Sequence, residues 1–179
     1  MMDEAKLQQW RRTAIDALQS AGIVLTKEES ENIEVAELGL NDFERTGLCL
    51  VIYENNDRYC AKELVLLPRQ TCPQHKHPAI GELPGKRETF RCRAGDVYLF
   101  VEGTPKDNLS VRPPLGDEKY YTVYNEIHLK PGDQYTIPED TYHWFQAGVN
   151  GAVVSEFSTT SRDEFDEFID PRIQRVPKA

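Results

Sequence analysis

The chain has 179 residues, 28% of them charged, with a formal net charge of −9 and a sequence pI near 5.0. That length supports one well-buried core and is short for two domains. The acidic balance argues against nucleic acid as a partner, because phosphates call for a positive field.

The opening "MMDEAKLQQWRRTAIDALQSAG" carries charge from its third residue and holds no apolar stretch of signal or membrane-spanning length, so the reading is a cytoplasmic protein without a membrane partner. Within it Leu7, Trp10, Ala14, Leu18 and Ala21 recur at helical spacing, and Gly22 stands at the stop position. "TKEE" from Thr26 and "NDFE" from Asn41 have the form of capping boxes and predict short helices or turns.

From Leu48 the pattern changes to short apolar runs: "LCLVIY", "YCAKELVLL", "ETFRCRAG", "VYLFVEG", "YTVYNEIHL", "QYTIP", "HWFQAG" and "AVVSEFS". Each is bounded by turn residues, which predicts an all-β core of antiparallel strands in a sandwich or barrel. The division expected is a helical arm over 1–47 and a barrel over 48–179 within one structural domain. The polar loop "EGTPKDNLSVRPPLGDEK" is long enough for a lid or rim. In the tail, Phe165 and Phe168 are expected to seat a short helix capped by Ser161 with Glu164. Cys49, Cys60, Cys72 and Cys92 lack CxxC spacing and read as small buried apolar residues.

The chemistry concentrates in "CPQHKHPAIGELPGKRETFRCRAG", which holds two of the four histidines, His75 and His77, on one face of an extended segment. Glu88 follows, then Gly95 after six intervening residues, and the distant "PGDQYTIPEDTYHWFQAG" adds His143 after Gly132 and Pro138. These segments resemble the two motifs of the cupin superfamily. The resemblance implies a small jelly-roll β-barrel in which His75, His77, Glu88 and His143 hold one divalent metal. Ten residues separate His77 from Glu88, longer than the usual spacing, which leaves Glu82, in an expected turn between Gly81 and Pro84, as a rival ligand. The fourth histidine, His128, precedes a Pro-Gly turn and reads as structural or exposed. Three imidazoles and a carboxylate suit manganese, iron, zinc, cobalt or nickel.

"HKH" with "GKRETF", "YNEIHLKPGDQYTIPEDTYHWFQAG" and "VVSEFST" resemble the bacterial D-lyxose isomerases over the C-terminal two-thirds of the chain. That resemblance implies a manganese-dependent interconversion of D-lyxose with D-xylulose, and of D-mannose with D-fructose, by proton transfer through a metal-stabilised enediol. Glu156 is the implied base, although its spacing equally allows an outward-facing strand carboxylate. Lys86 is placed to steady the oxyanion or hold the ring oxygen, and Trp144, Phe145 and Tyr124 to wall the sugar. Of the tail arginines, Arg172 and Arg175, Arg172 is the candidate to assist.

Strand alternation puts Lys86, Glu88, Phe90 and Cys92 on one face, and Arg87, Arg91 and Arg93 on the other, which favours an unphosphorylated monosaccharide. Two other classes stay open: an Fe(II) dioxygenase, and a non-catalytic metal- and sugar-binding cupin. By analogy with cupins, a homodimer is expected.

Overall fold

The computed structural model describes residues 2–176. Its first element is α1 (Glu4–Ser20), where Asp3 caps the start by accepting from the Lys6 N–H and Gly22 follows the end at φ +78°. The apolar stripe lays Ala14 and Leu18 into a layer with Ile33, Phe43, Cys49, Val51, Val65 and Val153. Thr26 and Glu29 close a capping box on α2 (Lys27–Glu31), whereas the segment from Asn41 forms turns. The segment 1–47 is not wholly helical, because it adds strand β1 (Glu34–Ala36), too short to show an alternation. No described helix is long and apolar enough to cross a membrane.

The strands that follow are β2 (Leu48–Asn55), β3 (Cys60–Leu66), β4 (Thr71–Lys76), β5 (Glu88–Val101), β6 (Asn125–Leu129), β7 (Gln134–Ile137), β8 (His143–Ser158) and β9 (Glu167–Phe168). All pairings between these strands are antiparallel, and the long β5 and β8 lie side by side through both halves of the curled sheet. One half runs β1-β2-β3-β8-β5-β7 and the other β9-β4-β8-β5-β6. The barrel core between them is filled by Leu50, Leu64, Leu66, Phe90, Val97, Leu99, Phe145 and Val154.

Four of the expected runs are therefore two strands. Gly95 and Gly151 read as terminators, but they sit at the bends where β5 and β8 pass from one half to the other. Gly95 takes φ +69° between two register shifts, and a Cβ there would stand 2.0 Å from the Gly151 carbonyl oxygen.

The tail departs from expectation as well. Instead of a capped helix it forms a three-residue 3-10 turn, Asp163–Phe165, and then β9, which pairs His75 with Phe168. Ser161 bonds Asp163 rather than capping a helix. Phe168 stacks on the His75 ring at 5.0 Å, a tertiary contact that overrides local helix preference. The long loop before β6 supplies no lining residue to the central cavity; its Leu109 and Val111 pack on the back of the sheet with Phe100, Tyr121 and Trp144.

Candidate active site

His75 lies in β4 directly opposite His143 at the start of β8, and His77 follows just past the end of β4. Their rings gather with centroids 4.3 to 5.3 Å apart, and one nitrogen from each lies within 4.8 Å of the others. All three side chains are buried. Each Nδ1 already has an acceptor: the Pro73 carbonyl for His75 at 2.8 Å, the Thr141 carbonyl for His143 at 3.0 Å, and the Asp166 carboxylate for His77. An Nδ1 that donates leaves Nε2 with the lone pair, which is the form that ligates a metal.

Glu88, first residue of β5, projects into this group. Its Oε1 stands 3.2 Å from His77 Nε2 and 3.0 Å from His143 Nε2, and its Oε2 2.7 Å from Lys86 Nζ. The approach to His143 does not meet hydrogen-bond geometry, so His143 Nε2 is a fully buried nitrogen without a hydrogen-bond partner among the described residues. An orphaned lone pair costs free energy unless something fills it. A divalent cation fits: the donor set is three oriented imidazoles beside a carboxylate. Glu82, the rival, is exposed between Ile80 and Leu83, which bridge each other in a turn, and does not line the cavity.

Electrostatics around the group follow from close packing of opposite charges. Burial, with His143 and His77 adding to it, holds His75 well below the usual imidazole range. For His77, burial and Lys86 oppose the charge, yet Glu88 and Asp166 prevail and raise it to about 9. Against the cost of burial, Lys86 and His77 hold the Glu88 carboxyl well below its ordinary value. Lys86, also against burial, is held well above the ordinary lysine range by Glu156 and Glu88. Without a metal, a proton on His77 offsets the surrounding carboxylates; a cation would take over that role.

Glu156 points inward from β8, in register with Lys62 of β3 on one side and Phe90 of β5 on the other. Its Oε1 accepts from Lys86 Nζ at 2.9 Å and lies 3.6 Å from Lys62 Nζ. The outward-facing alternative is thereby excluded. Lys86, Glu88 and Phe90 share the cavity face as alternation predicts, and Arg87 and Arg93 on the other face are exposed.

Three expected residues lie elsewhere. Trp144 follows His143 on the same strand, so it faces the opposite side, where it stacks on Phe100 at 3.8 Å and donates to the Val123 carbonyl. Tyr124 belongs to that outer cluster and donates to the Tyr121 carbonyl. Arg172 is half exposed, tied to Asp170 at 2.6 Å and Asp117 at 2.5 Å, and does not line the cavity. Phe145 and Arg175 do line it. His128 stacks on Tyr98 and bonds Asp96 at the surface.

Sequence reasoning passed over Lys62, Asp163 and Asp166, all of which line the cavity. Lys62 carried a signal, a cation inside the apolar run "YCAKELVLL", by the same logic that selected Glu156. Asp163 and Asp166 had none, because the tail's return across the barrel is a tertiary event. The cavity is about 40 Å³, enough to admit ordered water. A second cavity of about 320 Å³ shares Lys62, Asp163 and Arg175 with it as a common wall.

The comparisons agree with this geometry. The D-lyxose isomerase family matches residues 6–179. A D-lyxose/D-mannose isomerase of Thermosediminibacter oceani is 58% identical over 99% of this chain and 98% of its own length. A D-lyxose ketol-isomerase of Cohnella laeviribosi is 56% identical over 94% of each. An L-ribose isomerase of Acinetobacter sp. DL28, solved with L-ribose, superposes with a TM-score of 0.79 at 16% identity, over 96% of this chain and 94% of that one, and shares its fold. With a cupin-type β-barrel, a buried three-histidine group and near-full-length matches, the chain belongs to the D-lyxose isomerase family.

Proposed function

We propose that this protein interconverts D-lyxose with D-xylulose, and D-mannose with D-fructose, as a divalent-metal-dependent aldose–ketose isomerase. The observation that carries the reading is the pairing of two devices in one cavity. One is a set of three buried imidazoles whose Nδ1 atoms are all occupied; the other is a carboxylate, Glu156, hydrogen-bonded to Lys86 beside them. His75, His77, His143 and Glu88 would hold the ion, and manganese is the metal proposed, with zinc, cobalt, iron or nickel as chemically suited substitutes.

When bound, a divalent ion would supply Lewis acidity to the carbonyl and hydroxyl oxygens of the sugar. Glu156 removes the proton from one carbon and returns it to its neighbour, while carbonyl and hydroxyl exchange places through an enediol. Lys86, between Glu88 and Glu156, donates to the oxygen on which negative charge develops. Phe90, Phe145 and Phe168 give the cavity an apolar side that excludes water from the exchanging proton. The cations that line the cavity, Lys62, Lys86 and Arg175, are each already paired with carboxylates, which favours an uncharged sugar over a sugar phosphate.

A cytoplasmic location suits the four free, buried cysteines, and a homodimer suits the cupin fold. The test is turnover of chelator-stripped protein, reloaded with manganese and offered D-lyxose or D-mannose, with ketose read by chromatography. Metal-dependent ketose is expected from both sugars. The Glu156→Gln variant should lose at least a hundredfold in kcat while binding manganese as before; retained turnover would remove Glu156 as the base.

A further inference from the structure

Six charges of alternating sign run through the barrel from the tail to the metal group: Arg175, Asp163, Lys62, Glu156, Lys86 and Glu88. Arg175 reaches Asp163 at 2.7 Å, Lys62 lies 3.6 Å from both Asp163 and Glu156, and Lys86 joins Glu156 at 2.9 Å to Glu88 at 2.7 Å. Lys62, like Asp163 and Arg175, has no direct part in metal or sugar chemistry, and of the three it is the one in contact with Glu156. Its side chain is 2% exposed, and it sits directly across the β3–β8 pairing from Glu156. Ser161 Oγ accepts from its Nζ at 3.2 Å.

The contacts on Glu156 are one-sided. Both lysines address Oε1, and no protein donor among the described residues reaches Oε2. A carboxylate held at one oxygen has its rotation restricted, and Glu156 lines the cavity that contains the histidines. Lys86 alone would leave that orientation tied to Glu88, because its ammonium is shared between the two carboxylates. Lys62 adds a second, ion-pair contact to the same Oε1 at 3.6 Å, and Asp163 of the tail holds Lys62 in turn. Although burial works against its charge, Glu156 and Asp163 keep the Lys62 ammonium above the ordinary lysine range, so the anchor stays charged at every working pH.

We infer that Lys62 is a positioning residue that pins Glu156 Oε1 and thereby presents Oε2 to the carbon-bound proton of the sugar. This rests on Glu156 as the base. Lys62 acts on orientation, so its loss should fall on the chemical step rather than on metal or sugar binding.

The experiment compares Lys62→Met, Lys62→Arg and Glu156→Gln, each loaded with manganese, in steady-state turnover of D-lyxose. Manganese affinity by chelator competition and melting temperature are recorded alongside. Lys62→Met keeps the side-chain length and removes the charge. It should lower kcat at least tenfold, with KM within threefold of the parent and manganese affinity unchanged. Lys62→Arg should recover most of kcat. An inactive Glu156→Gln beside a Lys62→Met variant of parental kcat overturns the role of Lys62 alone. An active Glu156→Gln overturns the base itself. A raised KM with parental kcat in Lys62→Met makes Lys62 a sugar contact and also overturns the inference. If Lys62→Met does not fold, Lys62→Arg decides: near-parental kcat supports the anchor, and lost kcat at parental melting temperature and manganese affinity rejects it.

Discussion

Asp166 illustrates how a residue that is not itself an expected ligand can govern one. It accepts from His77 Nδ1, fixing both the tautomer and the ring plane, and it comes from the tail rather than from the strand that carries the histidine. Partners of this kind set metal affinity by about 10- to 100-fold. The Asp166→Ala variant should therefore bind manganese more weakly by that factor in chelator competition, and an unchanged affinity would show that the fold alone orients His77. The same scale explains the misplaced aromatic. Period-two alternation, applied to Lys86, Glu88 and Phe90, read their common face correctly. Applied across His143, it would have sent Trp144 to the back of the sheet and left Phe145 in the cavity. Arg172 and Arg175 could not be separated that way, because the tail takes its course from β9 pairing with β4 and from bonds such as Gln174 N–H to the Leu38 carbonyl.

At the scale of elements, β5 and β8 carry the architecture. Each crosses from one half of the barrel to the other, and the crossing is made at glycines packed backbone against backbone. A methyl group at Gly95 would need the Gly151 carbonyl to move and would also occupy a left-handed conformation. Gly95→Ala should cost about 2 kcal/mol or more in urea unfolding, whereas Gly132→Ala, with open space around its Cβ, carries only the conformational part of that penalty. The apolar runs announced the all-β class and most strand positions. They did not announce strand continuity, since a glycine at a bend and a glycine at an end look alike until the partner strand is known. The short β1 and β9 were equally unreadable, having too few residues to display a period.

Across the whole molecule, folding traps carboxylates beside cations. Burial opposes ionisation of Glu88, Asp163 and Asp170, yet Lys86, Lys62 and Arg172 respectively hold each below its ordinary value of 4.5 or 3.8. Depressed carboxyls stabilise the fold above those ordinary values, and the benefit disappears as pH falls through the folded ones. The melting temperature of metal-stripped protein should accordingly decline as pH drops below about 4.5, with a shallower decline in Asp163→Asn, whose site has one fewer proton to take up. A flat profile would mean that these groups keep similar environments in the unfolded chain.

The passage of β8 through both halves has one more result. His143 opens that strand and Glu156 stands near its end, so a proposed metal ligand and the proposed proton carrier come from one strand on either side of its bend. Adding or deleting one residue between Ala152 and Glu156, past the bend, would turn Glu156 to the outer surface while His143 stayed in place. Diversification of this scaffold toward other sugars is thus confined to substitutions along β8 and to length changes in its loops and tail, and the backbone itself serves as the ruler of the reaction.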